Sequence, residues 1–188
     1  MPRRRYIFDP PDRFVAGTVG EPGARTFFLQ AREGGRVVSV VLEKVQVAVL
    51  ADRLNRLLDE LEQGGVTASV PRPTPDAAPL DEPVVEAFRA GTLTLGWDGG
   101  ADRVLVEARA QTEEEEDEPD EASEEELDDD SPDGPDIFRV RLTAPAARAF
   151  VERAVRVVSS GRPPCPLCGE PLDPQGHICP RRNGHYVN

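Results

Sequence analysis

The sequence predicts an α+β protein built from two consecutive β-β-β-α units. It is expected to form an antiparallel sheet of about six strands with both helices on one face, followed by a zinc-ribbon-like tail. Three observations carry this. The string Phe14-Val15-Ala16-Gly17-Thr18 reappears as Phe88-Arg89-Ala90-Gly91-Thr92. The apolar period changes from that of a strand to that of a helix after Leu42, and again after Leu142. Every cysteine and histidine of the chain falls between Cys165 and His185.

The elements follow in order. Arg5 to Phe8 reads as a short strand stopped by Asp9-Pro10-Pro11, and Asp12 to Val19 as a second, ended by Gly20 and Gly23. Thr26 to Arg32 and Arg36 to Leu42 are β-rich runs joined through Gly34-Gly35, a hairpin signal. From Val45 to Glu62 the period is helical, with Val47, Leu50, Leu54, Leu57, Leu58 and Leu61 on one face, and Gly64-Gly65 closes it. Val66 to Pro83 has five prolines and reads as a linker. Beyond it, Arg103 to Arg109 answers Thr26 to Arg32, and Ile137 to Leu142 answers Val37 to Leu42. A second helix from Thr143 to Ser160 has Thr143 as N-cap and Pro145 in its first turn. Without a gap, Leu50, Leu57 and Leu58 fall on Phe150, Val157 and Val158. The expected organisation is a first unit at 1–65, a linker at 66–83, a second unit at 84–161 and a tail at 162–188.

The formal charge of -13 is local. Fourteen of the 35 acidic residues lie between Glu113 and Asp130, inside an insert expected at 112–136 where the first unit has only Gly34-Gly35. Removing them leaves 21 acids against 22 bases, so the remainder is close to neutral. A run of that composition is expected to be solvated and disordered, and long insertions into a hairpin cost little. Only Lys44 among the 22 bases is a lysine, a bias that fits a GC-rich genome. No stretch approaches the ~20 apolar residues that span a bilayer, and the start lacks the apolar core of a signal peptide. With cysteines in CxxC and HxC settings and no disulfide framework, the expectation is a cytoplasmic protein.

The tail carries the chemistry. Cys165-Pro-Leu-Cys168-Gly169 offers two thiolates three positions apart, and His177-Ile-Cys179 follows across a turn rich in proline and glycine. Structural zinc takes four nitrogen or sulfur ligands, commonly from two short clusters. Cys165, Cys168, His177 and Cys179 are the expected set, with His185 as an alternative fourth ligand. A redox CxxC would place its first cysteine at a helix start, and Gly169 and Pro171 argue against that. Three thiolates and an imidazole fill the coordination shell, so the zinc is read as structural rather than catalytic.

The RFVAGTVG start, the VVSVVLEKVQVAVLADRL block and the GRPPCPLCGEPLDPQGHICPRRNG ending together resemble an uncharacterised actinobacterial family, the domain-of-unknown-function family numbered 3090. The resemblance covers the chain apart from the linker and the acidic insert. It implies a soluble actinobacterial protein with no assigned activity, encoded near histidine-phosphatase-like and kinase-like proteins. The family ending has tyrosine where this chain has His185, with Tyr186 next, which favours His177 as ligand.

No GxSxG, P-loop or strand-borne GxGxxG is present. Outside the tail, acid–base chemistry would rest on carboxylates, with Asp9, Asp12, Glu43 and Asp98 near strand ends as candidates. Trp97 reads as a turn-flanking anchor, Phe14 and Phe88 as core, and Gly17 and Gly91 as sites of close packing or a bulge. The near-neutral remainder does not offer the sustained basic face that nucleic acid requires. The function expected is a non-enzymatic protein-binding or adaptor module. The alternative is an enzyme or enzyme subunit acting on a phosphorylated metabolite.

Overall fold

The structure is a computed structural model of the 188-residue chain and describes residues 3–67, 76–112, 133–161 and 166–167. In chain order the elements are β1 (Arg5–Phe8), β2 (Arg13–Val19), β3 (Thr26–Glu33), β4 (Arg36–Leu42), α1 (Lys44–Gln63), β5 (Glu86–Asp98), β6 (Arg103–Ala110), β7 (Ile137–Leu142) and α2 (Ala144–Ser159). The α+β class stands, and Thr143 accepts from the Ala146 amide at the start of α2 with a proline in the first turn.

All seven strands form one sheet in the order β1-β7-β6-β5-β4-β3-β2. The sheet is mixed rather than antiparallel, which corrects the expectation. β4 runs parallel to β5, and β1 runs parallel to β7. The cause of the first is the connection: α1 and the segment after it carry the chain back, and such a crossover returns a strand parallel to the one it left. The second joins residues more than 130 positions apart, Arg5 across from Ile137.

One face of the sheet is the main core. Phe8, Ala16, Leu29, Val40, Val106 and Val140, one from each of six strands, are buried there with Leu54 of α1 and Phe150 of α2. Phe14 and Phe150 stack at 4.6 Å between ring centroids, and Phe14 is buried while Phe88 packs against the core partly buried. Arg148 locks the helices together, donating to Asn55, Asp59 and Glu62 of α1.

The opposite face has a second, small core of Val15, Phe28, Val41 and Leu80. Leu80 belongs to the stretch read as linker. Residues 76–85 in fact lie across β2, β3 and β4 as a strap, and a Cβ on Gly17 would stand 2.6 Å from the Leu80 side chain. Gly17 is thus the close-packing position its residue type suggested. The register shows that the two Phe-x-Ala-Gly-Thr strings do not occupy matching places. Gly17 stands across from Phe28, whereas Gly91 falls in the irregular stretch between Ala90 and Leu93, and Gly96 stands across from Leu105. The offset is five residues, of which the irregularity in β5 supplies one.

Candidate functional site

Three arrangements of side chains could do chemistry or binding. The first is the charged network under the strap. Arg13 on β2 donates to both oxygens of Asp76, Nε to Oδ2 at 2.7 Å and Nη2 to Oδ1 at 3.0 Å, and its Nη1 reaches Asp81 Oδ2 at 3.2 Å. Arg153 on α2, itself nearly buried, donates to Asp76 Oδ1 at 2.9 Å and to the Ala16 carbonyl at 2.7 Å. That carbonyl lies on β2, the edge strand, so the arginine covers an edge group that would otherwise need water. Arg32 meets Asp81 Oδ1 at 2.9 Å. Gln30 exchanges two hydrogen bonds with the Asp81 backbone and donates to Ser39.

The titration shifts follow from this geometry. Hydrogen bonds from Arg13, more than anything else, hold the Asp76 carboxyl below its ordinary value against the opposing effect of burial. The same pairing raises Arg13. Burial outweighs the attraction of Asp76 at Arg153 and lowers it. A carboxylate saturated by two guanidinium groups is poorly placed to take a proton from a substrate. The network is an anchor for the strap.

The second arrangement lies on the same face of the other half. Glu107 on β6 is 0% exposed. It accepts from Arg109 Nε at 2.9 Å and from Arg139 Nε at 2.7 Å. Leu105 and Ile137 beside it are buried too, and Arg3 reaches across to the Pro135 carbonyl at 2.8 Å. Arg3, Arg5, Arg109 and Arg139 all have partners.

The third is a groove of about 200 Å³ between α1 and β5, lined by Val45, Gln46, Val49, Leu50, Arg53, Gly91, Leu93 and Leu95. Val45 and Val49 are 64% and 43% exposed, although they sit on a helix over an apolar strand. Gln46 donates to the Ala90 and Gly91 carbonyls, which fixes the floor of the groove. Beyond Arg89, β5 pairs with β6 on one side, while its pairing with β4 is confined to Glu86 and Arg89.

The expected zinc ligands Cys165, Cys168, His177 and Cys179, and the alternative His185, lie outside the described residues, as does the acidic run from Glu113 to Asp130. Among the described residues no group of three or more His, Cys, Asp or Glu side chains could hold a metal, and no helix is long and apolar enough to cross a membrane. The carboxylates near strand ends do not converge. Asp9 pairs with Arg141 at 3.1 Å, Asp12 accepts from the Gly34 amide, Glu43 pairs with Arg89, and Asp98 accepts from the amides of Gly100 and Ala101. Each holds a turn or a helix start in place. Trp97 packs against the main core next to that turn. Sequence reasoning missed the strap network and the Glu107 cluster. A signal for the first was present: Leu80 is the one large apolar residue between Val70 and Val84, and carboxylates flank it.

A family model described as "Protein of unknown function (DUF3090)" matches residues 6–179, and the chain belongs to that family. Neither the curated proteins nor the solved structures contain a match.

Proposed function

We propose that this member of the DUF3090 family is a cytoplasmic, zinc-carrying protein-binding module without catalytic activity, built from a duplicated β-β-β-α unit. In this reading Cys165, Cys168, Cys179 and one histidine, His177 rather than His185, hold a structural zinc that folds the tail, because so short a segment buries too little apolar surface to fold alone.

The groove between α1 and β5 carries the binding half of the reading. Exposed valines at the mouth of an apolar cleft leave a face that a partner would cover. Arg53 at its rim states the chemistry of that partner. Its counterpart by helix position, Arg153, is engaged by Asp76, whereas Arg53 meets no carboxylate among the described residues. The occupant is a protein segment with apolar side chains for Val45, Val49 and Leu95 and a carboxylate for Arg53.

The test is affinity capture followed by reconstitution from purified components. A captured protein should bind the wild type directly, lose at least tenfold in affinity on Val49→Asp, and bind normally to Val155→Asp, an exposed valine on α2. Binding that ignores Val49→Asp overturns the groove as the interface.

A further inference from the structure

On the outer face of β6 and β7 the side chains of Leu105, Glu107, Ile137 and Arg139 are buried, yet no described segment crosses them as the strap crosses β2, β3 and β4. Leu105 is 7% exposed and Ile137 is 3% exposed, and neither belongs to the two apolar clusters formed by the described residues. We propose that the C-terminal segment Glu170-Pro171-Leu172-Asp173 lies on this face as a second strap, with Leu172 against Gly96 and Leu105 and Asp173 against Arg109. This rests on the duplication in the reading above and gives the zinc-binding tail its place on the fold.

The argument starts from the first strap. Pro79-Leu80-Asp81 places its leucine on the row Gly17–Phe28–Val41, where the glycine leaves the room. One row on, Gln30 holds the Asp81 backbone, and in the next row Arg13 and Arg32 take the Asp81 carboxylate. The registers of the second half reproduce these rows. Gly96 stands across from Leu105 and Leu105 across from Arg141, again a glycine beside a large apolar side chain. Glu107 and Arg139 take the places of Gln30 and Ser39, and Arg109 takes that of Arg32. Glutamate can accept from an Asp173 amide as Gln30 accepts from that of Asp81, but it cannot donate. Arg139 supplies the missing donor for the Asp173 carbonyl.

The chain contains Pro-Leu-Asp twice, at 79–81 and at 171–173, in each case after the helix of its own unit. α1 ends at Gln63 and α2 at Ser159, so Leu80 is the 17th residue after the first helix and Leu172 the 13th after the second. An extended chain covers ~3.3 Å per residue, so 13 residues reach ~43 Å, enough to cross the sheet from the end of α2. The string also lies between Cys168 and His177, so a bound zinc would close a loop with Leu172 and Asp173 near its apex. The acidic run is the competing occupant. It leaves β6 and enters β7 beside Arg109, but its one leucine, Leu127, has no proline before it.

The test is methyl NMR on the zinc-loaded full chain, with the metal counted by native mass spectrometry on the same sample. Cross-peaks between the Leu172 and Leu105 methyls are expected, together with a Leu105 methyl shift that moves on Leu172→Ser and stays on Leu127→Ser. Leu172 methyls at random-coil positions, without a cross-peak to Leu105, overturn the proposal. So does a Leu127–Leu105 cross-peak, which would seat the acidic run there instead. A chain that binds zinc but lacks the Leu172 contact refutes the strap and leaves the zinc reading standing. A chain that shows the contact without zinc does the reverse.

Discussion

Leu80 and Gly17 define a contact whose energy can be measured from both sides. Leu80 is 7% exposed and packs on Val15, Phe28 and Val41. Truncating it to alanine removes the equivalent of three methylenes at about 0.8 kcal/mol each and leaves a partial void, so Leu80→Ala is expected to cost about 2–3 kcal/mol. Gly17→Ala acts from beneath. The new Cβ would stand 2.6 Å from both Cγ and Cδ2 of Leu80, and overpacking of this kind costs about 1–3 kcal/mol. The strap must lift, because the glycine sits in a paired strand that cannot. In the double variant the alanine methyl occupies part of the space vacated by Leu80, and the clash disappears. The cost of the double variant should fall short of the sum of the two single costs by about 1 kcal/mol or more. Urea unfolding followed by Trp97 fluorescence and circular dichroism measures all four corners of the cycle. Effects that add to within about 0.5 kcal/mol would show that the two residues do not share a packed contact, and the strap would then not be seated where the structure puts it.

Three further outcomes follow from the charged groups and the tail. Asp76 has its carboxyl lowered in the folded state from an ordinary value of 3.8, chiefly by Arg13 hydrogen bonds. Its stabilising effect is therefore complete above that value and lost as pH falls through the lower folded one; urea midpoints of the wild type should drop more between pH 6 and pH 3 than those of Asp76→Asn. Glu107→Ala leaves Arg109 and Arg139 facing each other without the carboxylate between them, and should cost about 3–5 kcal/mol as a broken buried pair, with a much smaller loss for the same change at the exposed Asp52, by thermal melting. Native mass spectrometry should count one zinc in the wild type, lost in His177→Ala and kept in His185→Ala. A chelator should remove it while circular dichroism of the sheet and helices persists.

How much was legible depended on whether the cause was local. The β3–β4 hairpin could be read because Gly34 adopts a positive φ of 57° at a turn between two β-rich runs. The helices could be read because Leu50, Leu54 and Leu58 repeat at a spacing only a helix brings to one face. The β1–β7 pairing could not. A parallel pair has no turn of its own, and nothing in Arg5-Tyr6-Ile7-Phe8 names Ile137 as the partner. The strap was lost to averaging, since the prolines around Asp76 and Leu80 outweigh one leucine and two aspartates in any compositional window. The expected zinc ligands could be named by type and spacing alone. Spacing says which side chains can share a metal, and says nothing of long-range contacts.

The arginine bias shows why composition and geometry have to be argued separately. One lysine among 22 bases fits a genome-wide preference, and from sequence that account suffices. It does not explain where the forks point. Arg13 serves two carboxylates with three different nitrogens. Arg148 divides its two terminal nitrogens among an amide and two carboxylates of the neighbouring helix. Arg153 grips a strand carbonyl with Nε while Nη1 holds both the carbonyl and the carboxylate of Asp76. A single ammonium has three donors on one atom and cannot span acceptors set that far apart. Whatever supplied arginine in excess, this fold has come to depend on the planar fork at these positions. Lysine at 13 or 153 would keep the charge and still let the strap go.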